Sequence, residues 1–422
     1  MFSIKRTLLF FCGALPQLAA SAATLEMWIS SHQDQVYYEK MAELYRKKTN
    51  ANLSVNVHAY GFREMPDKLA VAFRTGKGLP DLVQLDETFF GVFLGKNPPF
   101  VDLTARLKKS GLAKDLHPRR IEVFTYQGKT LGVPQSLSAM VLYYRKDLFE
   151  KFGIKPADVA TWEKFEKTGA KLMKDHRQRF MAIDGTHFDV LLRQKGFDLF
   201  DAKGKVLPNF DEALDLLTWL GSLAERQIAV LPDRGTIFDP VFFSGDLETG
   251  EVLCVMGADW YGLDLFPQFA PDMKGQWGML PLPAWTDEKG KLGPRTATFA
   301  GQGLMICKTS PHEKEAWEFI EFVMKDADAN LERYRQGNSF PAYLPAWKDK
   351  RLLAEHEYFG QSMGKLLVEL AKEIPPLVVN PKRPQAIFLM QENYFGAVMF
   401  QALTAKDALT QYLEALTEED RR

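Results

Sequence analysis

The sequence predicts an α/β protein in two domains. Short apolar strands alternate with amphipathic helices along most of the 422 residues, which implies βαβ units around largely parallel sheets. The chain is also too long for one typical hydrophobic core, so two domains are the default. A third observation concerns the start of the chain. Lys5 and Arg6 precede an apolar stretch, Thr7 to Leu15, which Pro16 closes, and Ala20-Ser21-Ala22 is a small-residue A-x-A site. That is the layout of a secretory signal peptide over residues 1–22, cleaved near Ala22, and the stretch is about half the length a bilayer span needs. A lipidated Cys12 is the alternative, but Phe11 is a poor residue before a lipid-bearing cysteine. An exported protein is expected, which sets ATP-driven and nicotinamide chemistry aside.

Strands are expected at Leu25–Ile29, Leu53–His58, Asp81–Leu85, Met140–Tyr144, Phe180–Ile183, Val252–Gly257 and Leu304–Cys307. Between the first two, Tyr37, Met41, Leu44 and Tyr45 share one helical face. After the last, Ala316, Ile320, Val323 and Met324 do the same. Ser310 followed by Pro311 and Glu313 reads as the N-cap, first turn and capping-box acid of that helix. From Glu355 onward the pattern is mainly helical, broken by Pro375-Pro376 and by Pro381 to Pro384. Thr404 with Asp407 opens a last helix through Leu409, Tyr412 and Leu416.

Net charge is -1, with 25% charged residues, so there is no basic excess to hold nucleic acid or a membrane surface. Aromatics are abundant, with 31 Phe, 13 Tyr and 8 Trp. Most belong to cores, but some are candidate ligand platforms. Cys254 and Cys307 lie in apolar strand-like runs and read as buried free thiols. The seven histidines are scattered, and no H-x-x-x-H or C-x-x-C spacing supports a metal site. There is no G-x-S-x-G elbow. Ser362-Met-Gly-Lys365 matches S-x-x-K without S-D-N or K-T-G, and Gly128-Lys-Thr130 lacks the upstream glycine of a P-loop. A glycosidase carboxylate pair stays open, although nothing singles one out. These absences favour a binding protein over an enzyme, with no cofactor.

Several segments then line up in order. Leu25-Glu-Met-Trp-Ile29 runs into Ser30-Ser-His-Gln-Asp34. Gly78-Leu-Pro-Asp-Leu-Val-Gln-Leu-Asp86, Val101-Asp-Leu103 and Gly128-Lys-Thr-Leu-Gly-Val-Pro-Gln135 follow, then Met140-Val-Leu-Tyr-Tyr-Arg-Lys-Asp-Leu-Phe149 and Thr161-Trp-Glu-Lys-Phe165. Later come Gly250-Glu-Val-Leu-Cys-Val-Met-Gly257, Trp260, Trp277-Gly-Met-Leu-Pro-Leu-Pro283 and Ala316-Trp-Glu-Phe-Ile320. This order resembles the extracellular solute-binding proteins of family 1, the maltose-binding-protein-like receptors of carbohydrate ABC importers. The resemblance spans nearly the whole exported chain. It implies the two-lobed, type II periplasmic binding protein fold, in which hinge-linked lobes each hold a central mixed sheet. It places 23–134 and 296–341 in the first lobe and 135–295 and 342–422 in the second. Crossings are expected near Gly132–Gln135, near Leu282–Arg295 and shortly after Pro341. It also implies a monomer, a periplasmic location, a carbohydrate ligand and membrane permease subunits as partners.

A sugar offers hydroxyls all round and weakly polar C–H faces, so its site needs amides, carboxylates and flat rings. Trp260 follows the strand Val252–Gly257 where the family often stacks a tryptophan; the alternative is a core residue. Asp86 and Glu87 end the strand Asp81–Leu85 as first-lobe polar contacts, or else cap a helix. His32 and Gln33 lie in the loop after the first strand. Gln135 and Ser138 flank the first crossing, where the family commonly has a carboxylate and this chain has none. Gly301-Gln302-Gly303 offers backbone amides to a ligand or forms a plain turn. His187 with Asp184 comes from a second-lobe loop. Arg295 and Asn338 are surface residues by default; either one lining the cleft would favour an anionic ligand. Two other readings remain at this stage: a polyol- or glycerol-phosphate-type receptor on the same fold, and an exported carbohydrate-active enzyme.

Overall fold

The computed structural model describes residues 23–418, so the basic start, the apolar stretch and the A-x-A site lie outside the described residues. Two five-stranded sheets organise the chain. The first runs, in spatial order, Leu53–Ala59, Ala23–Ile29, Leu82–Asp86, Gln302–Ile306 and Val133–Pro134. The second runs Trp277–Leu280, Met140–Arg145, Val252–Ala258, Arg179–Ala182 and Ala229–Val230. All seven predicted strands are present, within a residue or two of the expected bounds. The sheets are mixed, however, not largely parallel. The pairs Ala23–Ile29 with Leu53–Ala59 and Leu82–Asp86 are parallel, as helix-crossover units require. Gln302–Ile306 enters the first sheet antiparallel to both its neighbours, and Met140–Arg145 does the same in the second. Both strands enter their sheet from a crossing, so no helix crossover dictates their direction.

Each sheet is buried on both faces, and the side chains alternate accordingly. Leu304 and Ile306 pack with Met27, Met41 and Phe319 on one side of the first sheet. Met305 and Cys307 pack with Leu69, Phe100 and Phe124 on the other. In the second sheet Cys254 and Met256 face Phe165, Phe180 and Leu217, while Val255 faces Tyr261, Phe266 and Trp277. Cys254 and Cys307 thus sit in different sheets, buried and unpaired.

Of the two helix starts expected from the sequence, one is seen and one is not, and the first helix has a cap of its own. Ser31 caps His32–Thr49 by accepting from Asp34 N, and Asn50 ends it in the left-handed region. Thr404 caps the last helix by accepting from Asp407 N at 3.1 Å, and its hydroxyl donates to the Asp407 carboxylate at 2.7 Å. The helix containing Ala316 differs: it spans Glu313–Lys325 and has His312, not Ser310, at its cap. The Ser310 hydroxyl donates to Asp81 (2.6 Å) and accepts from His312 N, so it holds a turn against the first sheet instead. Ser362 of the S-x-x-K match caps Met363–Leu370 through Lys365 N and donates to Leu353 O, which is a structural role.

Three segments pass between the sheets side by side. Residues 135–139 lead from Val133–Pro134 to Met140, 296–301 lead back to Gln302, and 336–343 form the third. Isolated bridges Ser136–Pro341 and Ala139–Thr298 join them. The stretch 281–295 stays with the second sheet: Leu282 N donates to Arg295 O, and Ala284 bridges Thr161. Each crossing holds one non-glycine residue in the left-handed region: Ser138 (φ 53°), Ala300 (φ 57°) and Asn338 (φ 47°). Away from the crossings, 377–391 folds with the second sheet yet also touches the first-sheet unit. Phe388 meets Phe89 at 5.4 Å between ring centres, and a Cβ on Gly91 would lie 2.6 Å from Pro384.

Candidate functional site

The parallel strands of both sheets end toward one another, and polar residues follow each end, as ligand crevices in open α/β sheets require. Ser30, Ser31 and Gln33 follow Ala23–Ile29. Asp86 ends Leu82–Asp86, and Asp259 and Trp260 follow Val252–Ala258. Between them lies a cavity of about 390 Å³. That is within the usual range for small-molecule sites. Its lining combines both units and the crossings: Gln33, Asp34, Phe62 and Asp86 from one side, Phe238, Trp260 and Asp264 from the other, and Ser136, Phe299–Gln302 and Gly337–Ser339 between.

One wall is aromatic. The Phe238 and Trp260 rings lie 5.8 Å apart at 24°, and Phe238 and Phe299 lie 6.1 Å apart at 14°. Trp260 Nε1 donates to Phe299 O (3.2 Å), so the indole is fixed in place while it remains partly exposed. Phe62, 44% exposed, faces it from the first-sheet side and leans on Phe89. Such flat, half-buried rings are platforms for weakly polar faces.

The polar groups are held firmly. Asp86 accepts from Thr88 N (2.9 Å) and Gly301 N (3.1 Å), which ties the strand end to the second crossing. Gln302 is its register partner across the sheet. Asp34 is ion-paired with Arg333 at 2.5 Å and accepts from Gln84. Asp264 accepts from Asn338 Nδ2 at 3.0 Å, and burial raises its carboxyl to about 6. Just behind the cavity, the fully buried Asp259 accepts from Trp260 N (2.8 Å) and Phe340 N (3.0 Å), and burial raises it to about 7.

The sequence-predicted residues divide cleanly. Gln33, Asp86, Trp260, Gly301 and Gln302 line the cavity, and so does Asn338. Glu87 points beside it, paired with buried Arg120 at 2.6 Å, into a space of about 30 Å³ shared with Asp189 and Arg383. A space that small holds a water, not a ligand. The remaining candidates do not line the cavity. His32 is exposed at the helix start. Gln135 lies beneath the floor, hydrogen-bonded to Tyr38 and Gln84. Ser138 is fully buried against Ser136 and belongs to the crossing. Gly303 lies in the sheet, where a Cβ would meet the Phe124 ring at 2.8 Å. His187 is a core residue: Nδ1 accepts from Asp184 N, so Nε2 carries the proton toward Met256 O. Asp184 anchors the 236–237 loop. Arg295 is held at the surface by Glu369 and Glu373.

Asp34, Phe62, Ser136, Phe238, Asp264 and Phe299 line the cavity without having been singled out by the sequence. Asp264 lies four residues after Trp260, about one helical turn, and that spacing was a usable signal. Phe238 sits in a loop with no such mark. Among the described residues no cluster of His, Cys, Asp and Glu could hold a metal ion, and no helix is long and apolar enough to cross a membrane.

A family model described as bacterial extracellular solute-binding protein matches residues 29–330. The chain belongs to that family. This solute-binding protein is 26% identical over 410 residues to the arabinooligosaccharide-binding protein of Bacillus subtilis, covering 94% of this chain and 93% of that one. It is 24% identical to the lactose-binding protein of Rhizobium radiobacter, covering 95% and 93%. Among solved structures, an ABC transporter solute-binding protein from Thermotoga lettingae bound with alpha-D-tagatose superposes with a TM-score of 0.74. It is 21% identical, covering 94% of this chain and 99% of that one. The two-sheet α/β architecture of this chain is therefore the type II binding-protein fold.

Proposed function

We propose that this solute-binding protein is the extracytoplasmic receptor of an ABC importer for a sugar or oligosaccharide. The observation that carries the reading is the cavity between the two sheets, with a fixed, partly exposed Trp260 on one side and amide and carboxylate groups on the other. Relatives named for arabinooligosaccharides and lactose support the same class of ligand. Trp260 stacks on a sugar face; Gln33, Gln302, Asn338 and Asp264 exchange hydrogen bonds with hydroxyls, and Asp86 holds the floor. The units 23–134 with 296–341 and 135–295 with 342–422 act as lobes that close over the ligand. Contacts made by both lobes exist only when closed, so ligand shifts the population to the closed form. Gln33 already meets Gln268 across the gap at 3.4 Å. The closed receptor then docks on permease subunits. It acts as a monomer in the periplasm, after removal of residues 1–22, and performs no chemistry.

A thermal-shift screen of the chain from residue 23, against arabinooligosaccharides, lactose, maltose and free monosaccharides, tests this. A ligand at 100 times its Kd adds about 2.7 kcal/mol to stability, which moves the midpoint by several degrees. Saturable binding with no product formed on long incubation is the expected result. No shift with any saccharide, or turnover of one, would overturn the reading.

A further inference from the structure

The charged residues that line the cavity are Asp34, Asp86 and Asp264, with no lysine, arginine or histidine among the lining residues. Three arginines border the cavity from behind or beside it and are ion-paired, whereas the exposed Arg335 lies outside it, in an open groove that shares Gln33, Asp264 and Asn338 with the cavity. Arg333 pairs with Asp34 and lies over the Tyr37 ring at 4.0 Å. Arg120 donates to Ser136 O and Ala300 O and meets Glu87. Arg63 meets Glu392 outside the cavity. The three carboxylates differ in how their charge is met. Asp34 has a cation, and Asp86 has two backbone N–H donors. Asp264 has one neutral donor, the Asn338 amide. Asn338 does line the cleft, which on sequence grounds would favour an anion, but it is a neutral amide with one N–H spent on Asp264, and its remaining N–H and carbonyl oxygen suit a hydroxyl.

We infer that the cleft selects its ligand by charge: it accepts neutral saccharides and excludes uronates and sugar phosphates, with Asp264 as the specificity-determining residue. This rests on the sugar-receptor reading. A neutral ring satisfies Asp264 with one or two hydroxyl donors and covers Trp260 with a C–H face. An anionic ring brings a second negative charge to within roughly 6 Å of a carboxylate in a partly dry site. With an effective dielectric near 20, that repulsion alone amounts to a discrimination on the order of 100-fold, and screening lowers it toward tenfold. The glycerol-phosphate reading is disfavoured by the same arrangement, because a phosphate needs a cation or a set of free N–H donors.

The test pairs each neutral saccharide with its charged counterpart, such as galactobiose with digalacturonate and lactose with lactose 6-phosphate. Titration calorimetry at pH 7.5 and low salt reads the ratio of affinities. Wild type should favour the neutral member at least tenfold. Asp264→Asn, which keeps the shape, should narrow the ratio several-fold by raising affinity for the anion. Asp264→Glu, which keeps the charge, should leave discrimination in place. Equal or tighter binding of an anionic member by wild type would overturn the inference while leaving the receptor reading intact. So would an unchanged ratio in a folded Asp264→Asn protein. Binding of no saccharide of either charge would instead overturn the receptor reading on which the inference stands.

Discussion

Replacing Arg120 by methionine should destabilise the protein by about 3–5 kcal/mol at pH 7.5. Arg120 is fully buried and lies between the crossings, donating through Nε to Ser136 O (3.0 Å) and through Nη2 to Ala300 O (3.1 Å). Its Nη2 also lies 2.6 Å from Glu87, whose side chain is 7% exposed. Methionine fills most of the volume but strands a buried carboxylate. Removing one partner of a buried ion pair costs about 3–5 kcal/mol, because the other charge is left uncompensated. The two orphaned carbonyls add to this, each about 1–3 kcal/mol if no water reaches it. Two features hold the total down. Glu87 Oε2 receives no aligned hydrogen bond, and burial already raises the Glu87 carboxyl despite Arg120, so it can take up a proton. The lower half of the range is therefore favoured, and the penalty should shrink toward pH 5. Glu87→Gln on top of Arg120→Met should recover about 2 kcal/mol, since it removes the stranded charge. Urea unfolding of the chain from residue 23, followed by circular dichroism, measures both. A single-variant cost under about 1 kcal/mol, or no recovery in the double variant, would refute this account of the crossing.

Four further outcomes follow from the same structure. Asp259 is raised from an ordinary 3.8 to about 7 by burial, so between about pH 4 and pH 7 the unfolded chain loses this proton while the folded chain keeps it. Its contribution to stability therefore falls as pH rises through that window, and Asp259→Asn should flatten the fall in a series of melting curves. Trp260→Ala should weaken binding of the screened saccharide at least about tenfold while the protein still folds, and normal binding would show that the cleft is misplaced. Ala300 sits at φ 57°, which costs a non-glycine residue roughly 1–2 kcal/mol; Ala300→Gly relieves that against about 0.5–1 kcal/mol of added backbone entropy. The variant should be more stable by about 0.5–1 kcal/mol, as measured by urea midpoint. The chain from residue 23 should show no thiol reactive with Ellman's reagent when folded and two in denaturant, since burial raises both thiols and neither is paired.

The strands, the start of the last helix and the family order of motifs were legible in the sequence because each depends on near neighbours or on period. Val252–Ala258 reads as an unbroken apolar run, and the structure buries it on both faces. Trp260, Asp86 and Gln33 were picked out because the family resemblance puts ligand contacts at or after these strands, and all three line the cavity. His187 and Ser138 were misread for a shared reason. A polar residue in a loop looks the same in sequence whether it faces a ligand or satisfies main-chain groups in the interior, and here the interior took both. The Ser310 cap failed because Asp81, 229 residues away, takes its hydroxyl. Asp34 was passed over because its partner Arg333 is 299 residues distant.

By itself, then, the sequence determined the class of fold, the family resemblance and the strand ends that border the cavity. Local pattern and motif order are written in consecutive residues. Only the tertiary structure decided which side chains form the cavity wall. Phe238, Trp260 and Phe299 become one aromatic surface, and Asp264 becomes the weakly compensated charge, through three crossings that bring distant segments within hydrogen-bonding reach. Contacts of that kind are set by how two sheets are held against each other, and no local preference of the chain encodes them.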